Sequence, residues 1–293
     1  MLEGQQMQGV GKNRDTKDQF YTKRSVAESC VKEIISCLSW SSQNTLWIEP
    51  SAGAGAFLTN KYKTIALDLE PKAPGIVSAD FLTWHIPPDI KNKYGKVIFF
   101  GNPPFGRQGS IAKKFLKHSC EQGASALAFI LPRSFMKPSM YQCIPLNYHL
   151  IKEVELPKDS FEVNNEAYDV PCIFQIWEKR DSDRISVIKE QPDGFTYVKS
   201  GETYHLAFRR VGGDAGKTFK REDIVNPSIQ SHHFLRFDDG IDVANIQKRI
   251  NAHTFPSNTT GPRSLSKSEI NSVINKFIHE VLDAEFVSLR ECS

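Results

Sequence analysis

Up to about Lys179 the chain alternates short apolar runs with helical or connecting segments, and no other feature restricts its fold as much. Residues 25–38, SVAESCVKEIISCL, carry apolar side chains at helical spacing (Val26, Cys30, Ile34, Leu38), with Ser25 as N-cap and Glu28 three residues on. NTLWIEP, TIALDLEP, GIVSADF, KVIFFGNPPF and ASALAFILP read as strands, and SIAKKFLKHSCEQG as a helix that stops at Gly123. HLIKEVELP and VPCIFQIWEK follow with no helical stretch between them. Such alternation predicts an α/β fold, a mostly parallel sheet with helices on both faces. The last pair predicts an antiparallel hairpin at one edge of it.

After about Arg180 the texture becomes turn-rich and β-like, with Pro192, Gly194 and Gly201 as punctuation. Residues 266–286 then predict a helix, with Ser266 and Glu269 as a capping box and Ile270, Ile274, Phe277 and Val281 as its apolar stripe. The expected organisation is an arm over 1–17, a main domain over 18–180 and a small α+β extension over 181–293.

Composition excludes several classes. No apolar run is long enough to span a bilayer, and the first twenty residues have no apolar h-region of a signal peptide. The six cysteines form no C-x-x-C pair and are read as reduced thiols, so the expectation is a cytoplasmic protein of a bacterium or phage with no membrane contact. No Cys/His spacing offers four zinc ligands, and His232-His233 reads as a strand surface, so no metal is expected. A net charge of +3 does not by itself argue for nucleic acid.

The chemistry lies at strand ends. In LWIEPSAGAGAF a strand ends at Glu49-Pro50 and enters a turn through Ser51, Gly53 and Gly55; small residues let a ligand approach the backbone, and a following helix start would supply free N–H groups. In ALDLEP, Asp68, with Glu70 as the alternative, suits ribose hydroxyls, and Leu69 an adenine face. In SADF, Asp80 can accept from an adenine amino group while Phe81 covers the ring. In GNPPFG, Asn102 offers a side-chain carbonyl and Pro103 a main-chain carbonyl, Pro104 fixes the corner, and Phe105 offers an aromatic face. Two rigid acceptors aimed at one point suit an exocyclic amino group, whose delocalised lone pair is a weak nucleophile.

In this order and spacing, E-P-x-x-G-x-G-x-F, an acid at the second strand, A-D-F and N-P-P-F resemble the class I S-adenosylmethionine-dependent methyltransferases, and among them the N6-adenine DNA methyltransferases. The order is similar to the gamma-type enzymes of restriction–modification systems. The resemblance covers residues 18–179 and implies a Rossmann-like seven-stranded sheet with S-adenosyl-L-methionine as cofactor. It also implies that Phe20, Tyr21 and Thr22, of an upstream F-Y-T element, contact the methionine end of the cofactor. Phe105 stands where the family often has Tyr, which keeps the stacking and loses a hydroxyl. A second aromatic should cover the other face of the base; Phe161 and Tyr168 both fall in the right loop, and its length does not choose between them.

A base buried in a duplex cannot reach such a pocket, so it must be flipped out or already single-stranded. Arg107 beside the corner, and Arg209 and Arg210 in the glycine-rich AFRRVGGDAGKTF, are the candidate phosphate contacts. GGDAGKT has the wrong spacing for a nucleoside-triphosphate loop. The small extension implies a short recognition sequence or help from a protein partner. An RNA adenine methyltransferase, a protein glutamine-N5 methyltransferase and a non-catalytic module of the same fold are the competing readings.

Overall fold

The computed structural model describes residues 20–59, 62–163, 166–186, 189–259 and 261–291, with backbone alone at 167 and 284–291. The expected arm over 1–17 and Cys292 lie outside the described residues. The chain divides into two compact units, the first ending at Ile185 and the second beginning at Ser186.

In the first unit, β1 (Tyr21–Thr22) and α1 (Arg24–Leu38) precede β2 (Thr45–Glu49), β3 (Thr64–Asp68) and β4 (Val77–Ser78). The short α2 (Pro88–Lys91), β5 (Lys96–Gly101), α3 (Ser110–Glu121) and β6 (Ala126–Pro132) follow. Then come β7 (Tyr148–Glu155), β8 (Phe161–Val163), β9 (Glu166–Tyr168) and β10 (Cys172–Lys179). Seven of these strands form one sheet in the order β4-β3-β2-β5-β6-β10-β7. Its first five members are parallel, and β10 inserts antiparallel between β6 and β7. This is the expected Rossmann-like, mostly parallel seven-stranded sheet with its antiparallel edge hairpin.

Strand alternation decides which helix covers which face. Leu46, Ile48, Val97, Phe99, Leu127 and Phe129 pack with Ala112, Phe115 and Leu116 of α3. The intervening Trp47, Ile98, Phe100, Ala126 and Ala128 pack with Ala27, Cys30, Val31 and Ile34 of α1. Both faces are covered, so the central strands are buried from end to end.

Three local expectations change. Ser25 does not cap α1: the helix starts at Arg24 with Lys23 in the cap position and no side-chain cap, and Lys23 N–H donates to the Ser160 carbonyl at 3.0 Å. Among the described residues no helix follows the glycine turn, which runs on as turns to Phe57. The F-Y-T element is a strand of its own, β1, which pairs antiparallel with β8 (Tyr21 with Glu162, Thr22 with Phe161), and β8 pairs with β9.

The second unit contains β11 (Phe195–Val198), β12 (Leu206–Arg209), β13 (Thr218–Lys220), β14 (His232–Phe237), α4 (Val243–Ala252) and α5 (Lys267–Glu291). The strands form an antiparallel sheet, β11-β14-β12-β13, whose Phe195, Leu206, Phe208 and Leu235 pack against Ile246 and Ile250 of α4 and Ile270 and Ile274 of α5. The capping box forms: Glu269 N–H donates to Ser266 Oγ at 3.3 Å and Ser266 N–H to Glu269 Oε2 at 2.8 Å. His232 is buried rather than on a strand surface, because it opens β14 with its ring turned inward and contacts the Ser228 carbonyl. No helix among the described residues is long and apolar enough to cross a membrane.

Candidate active site

Adjacent parallel strands end side by side, and here each of four ends delivers a polar residue: Glu49 on β2, Asp68 on β3, Asp80 after β4 and Asn102 after β5. Ligands of open α/β sheets bind at such carboxyl ends. A cleft of about 530 Å³ opens there, within the size range of small-molecule sites. Its walls include Phe20, Tyr21 and Thr22, Glu49, Pro50, Ser51 and Gly53, Asp68 and Leu69, Asp80 and Phe81, and the corner 102–105.

The glycine turn and the corner are tied together. Ser51 Oγ donates to the Asn102 carbonyl at 3.0 Å. Gly101 has φ +125°, and a Cβ there would lie 3.1 Å from Glu49 Cγ, so the ends of β2 and β5 approach closely because position 101 is glycine. Gly53 donates its N–H to Asp68 Oδ2 at 2.7 Å, and Glu70 N–H donates to Asp68 Oδ1 at 2.8 Å. Asp68 thus stitches the glycine turn to β3, and each of its oxygens keeps a further acceptor site for a hydroxyl. Leu69 is 69% exposed at the rim of the cleft, where its apolar side chain is open to a ligand.

The corner is rigid beyond its prolines. Ile111 and Ala112 N–H both donate to the Phe105 carbonyl, at 3.1 and 3.3 Å. Gly106 has φ +67°, and a Cβ there would meet Ile111 Cγ1 at 2.5 Å. Because α3 begins this close to the corner, Ile111, Lys114 and Phe115 of its first two turns line the cleft. Lys114 is not among the residues that the sequence marks for the site; the signal available is its place nine residues beyond Phe105, on the helix that follows the corner.

Three cleft-lining polar atoms are buried without a hydrogen-bond partner: Thr22 Oγ1, Glu49 Oε2 and Asn102 Oδ1. Asn102 is oriented by its other end, whose Nδ2 donates to the Phe20 carbonyl at 3.2 Å. Burial, and then the neighbouring Asp68 charge, push the Glu49 carboxyl well above the usual range. A buried acceptor with no donor costs about 1–3 kcal/mol, so the cleft is built to receive N–H groups it does not itself supply.

Several expected site residues are placed otherwise. Phe81 is buried, with its ring 5.0 Å from Phe115, 5.7 Å from Phe99 and 4.9 Å from His118, and it lines the cleft as its floor. Gly55 does not line the cleft; a Cβ there would meet Leu58 Cδ1 at 3.1 Å, so it serves the folding of its own loop. Phe105 lines the cleft but is 8% exposed, packed beside Phe20. Phe161 is fully buried in the core under α1, which leaves no face for a base, whereas Tyr168 is 41% exposed and stacks on Phe20 at 5.1 Å. Arg107 is exposed in the turn after the corner. Arg209 and Arg210 belong to the second unit, where Arg209 Nε donates to the Val211 carbonyl and Arg210 Nη2 to the Gln230 carbonyl. Among the described residues no three His, Cys, Asp or Glu side chains come together to hold a metal ion.

No family model matches the sequence, and no curated protein does. Among solved structures, the chain is similar to a proposed RNA methyltransferase from Pyrococcus horikoshii, with 14% identity and a TM-score of 0.44 over 59% of this chain and 93% of that one. It is similar to a proposed methyltransferase from Escherichia coli, with 14% identity and a TM-score of 0.35 over 53% and 86%. A third is an S-adenosylmethionine-dependent methyltransferase from Anabaena variabilis, with 14% identity and a TM-score of 0.35 over 55% and 88%.

Proposed function

We propose that the first unit binds S-adenosyl-L-methionine across the ends of β2, β3 and β4 and methylates the N6 amino group of an unpaired or flipped adenine in DNA. The buried, unpartnered Asn102 Oδ1 at the wall of the cleft carries this reading. The residues present fit the cofactor. Asp68 and Leu69 meet the needs of a ribose and an adenine face, Asp80 those of an adenine amino group, and Glu49 and Thr22 offer orphaned oxygens to the ammonium of the methionine end. Gly53, with φ +50°, lets the Tyr21 ring lie 3.2 Å from where a Cβ would stand, so the glycine turn and the F-Y-T element close the cleft from two sides.

When bound, the cofactor supplies a methyl group on a sulfonium. The protein's own part is to hold the acceptor nitrogen. Asn102 Oδ1 and the Pro103 carbonyl each accept one N–H, and both hydrogen bonds strengthen as that nitrogen becomes cationic, which is differential stabilisation of the transition state. The nitrogen gains the methyl carbon, whose bond to sulfur breaks to leave a neutral thioether, and then releases one proton to water. Phe105 and Tyr168 flank the acceptor, and Arg107, with Arg209 and Arg210, contacts phosphates.

The test is incubation with methyl-labelled cofactor and, separately, duplex DNA, single-stranded DNA, RNA and protein, with modified nucleosides identified by mass spectrometry. N6-methyladenine in DNA is the expected product. Label in RNA alone would move the polymer and keep the chemistry. Label on protein glutamine, or none in nucleic acid, overturns the reading.

A further inference from the structure

Phe20 has more contacts in the cleft than a cofactor-binding residue needs. Its ring stacks on Tyr168 with centroids 5.1 Å apart and planes 19° from parallel. The same ring lies 6.3 Å from Phe105 at 33°. It therefore bridges the aromatic of the N-P-P-F corner and the exposed aromatic of the β8–β9 hairpin, the two side chains the proposed reaction needs on either side of its acceptor. Its carbonyl also holds Asn102 Nδ2, so the side chain that turns an unpartnered oxygen toward the cleft is anchored on the same residue.

We propose that the Phe20 ring stands in the place of the acceptor base and withdraws when the base enters. This rests on the reading of the site given above and adds what holds the acceptor's place before it binds. The backbone is fixed immediately after Phe20 by the β1–β8 pairing and the Lys23-to-Ser160 hydrogen bond, so the ring leaves by side-chain rotation while its carbonyl keeps Asn102 in place. The exchange trades one ring stack for another and is close to neutral in stacking. What differs is Asn102 Oδ1, which a phenyl ring leaves without a donor and an exocyclic amino group satisfies. A base without an amino group displaces Phe20 at no hydrogen-bonding gain. Phe20 lowers the apparent affinity of every base by the same factor, so the choice among bases stays with Asn102 and Phe20 sets the threshold that an acceptor must exceed.

The experiment compares wild type, Phe20→Ala and Phe20→Leu, each checked for cooperative melting. Binding of oligo-dA and oligo-dT, and of their ribose counterparts, is measured with S-adenosylhomocysteine present, alongside binding of S-adenosylhomocysteine alone. Removing the competitor should tighten binding of oligo-dA and oligo-dT, and of their ribose counterparts, by a common factor of about tenfold, as one stacking interaction predicts, and leave the preference for adenine unchanged. Cofactor affinity should stay within about threefold, with Phe20→Leu intermediate. A large loss of cofactor affinity with unchanged oligonucleotide affinity would overturn the proposal and make Phe20 a methionine-end contact. Methyl transfer to adenine by the wild type, assayed on the same preparations, separates the two levels. If it occurs and oligonucleotide affinity does not rise in the variants, the placeholder role fails alone; if it does not occur, both fall.

Discussion

Replacing Asn102 by Ala tests the proposed chemistry most directly, because the structure gives its side chain two separable ends. Oδ1 is the buried acceptor without a partner, and Nδ2 donates to the Phe20 carbonyl at 3.2 Å. For stability the two ends oppose each other. Truncation loses a hydrogen bond worth about 0.5–1.5 kcal/mol and removes an unsatisfied buried oxygen that costs about 1–3 kcal/mol. The net effect should stay within about 1 kcal/mol, a shift of roughly 2–4 °C in melting temperature for a chain of this size. For catalysis the ends do not cancel. One of two acceptors on a nitrogen that becomes cationic is gone, and losing one preorganised hydrogen-bond partner of a developing charge lowers kcat by about 10²–10³, or about 2.7–4 kcal/mol. Single-turnover transfer of labelled methyl measures this, and calorimetry with S-adenosylhomocysteine measures cofactor affinity, which should change less than about threefold because Asn102 serves the acceptor. Equal losses of cofactor affinity and rate would place Asn102 among the cofactor contacts. A rate within a few-fold of wild type would refute the acceptor-pair argument outright.

Burial and Asp68 raise the Glu49 carboxyl well above its ordinary value of 4.5, so the ligand-free protein keeps a proton there that the unfolded chain gives up. That contribution is complete below the unfolded value and declines as pH rises toward the folded one. Glu49→Gln should therefore melt like wild type near pH 4 and above it at pH 7–8, in calorimetric scans without cofactor; an offset constant across pH would contradict the assignment. Phe161→Ala should cost about 3–5 kcal/mol in urea unfolding, as for a buried core aromatic. Tyr168→Ala should leave stability within about 1 kcal/mol while weakening oligonucleotide binding by about 1–3 kcal/mol, and the reverse pattern would exchange their roles. Replacing Arg209 and Arg210 together by Gln should reduce the slope of log affinity against log salt on duplex DNA by about 1.8, at about 0.9 per phosphate contact. An unchanged slope would move the phosphate track elsewhere.

The sequence alone determined the sheet and the polar residues at its rim. Parallel strands buried on both faces need apolar runs separated by helices, and LWI, VIFF and ALAFIL show that pattern without reference to any partner. Ligand-facing residues of such a sheet fall where each run stops, so Glu49, Asp68, Asp80 and Asn102 are marked by position in the chain. Tertiary structure decided whatever depends on residues distant in sequence. Phe161 and Tyr168 sit in one loop with similar local patterns, and their separation into core and rim follows from the pairing of β8 with β1, which turns Phe161 under α1. Phe81, read as a cover for the adenine, lies in the floor of the cleft because Phe99, Phe115 and His118 converge on it. The glycine turn carries no helix signal of its own, and its amide at Gly53 is satisfied by Asp68, fifteen residues away. Nothing local in F-Y-T announces that its phenylalanine stacks between two other aromatic segments, because a stacking partner leaves no periodicity in the chain that supplies it.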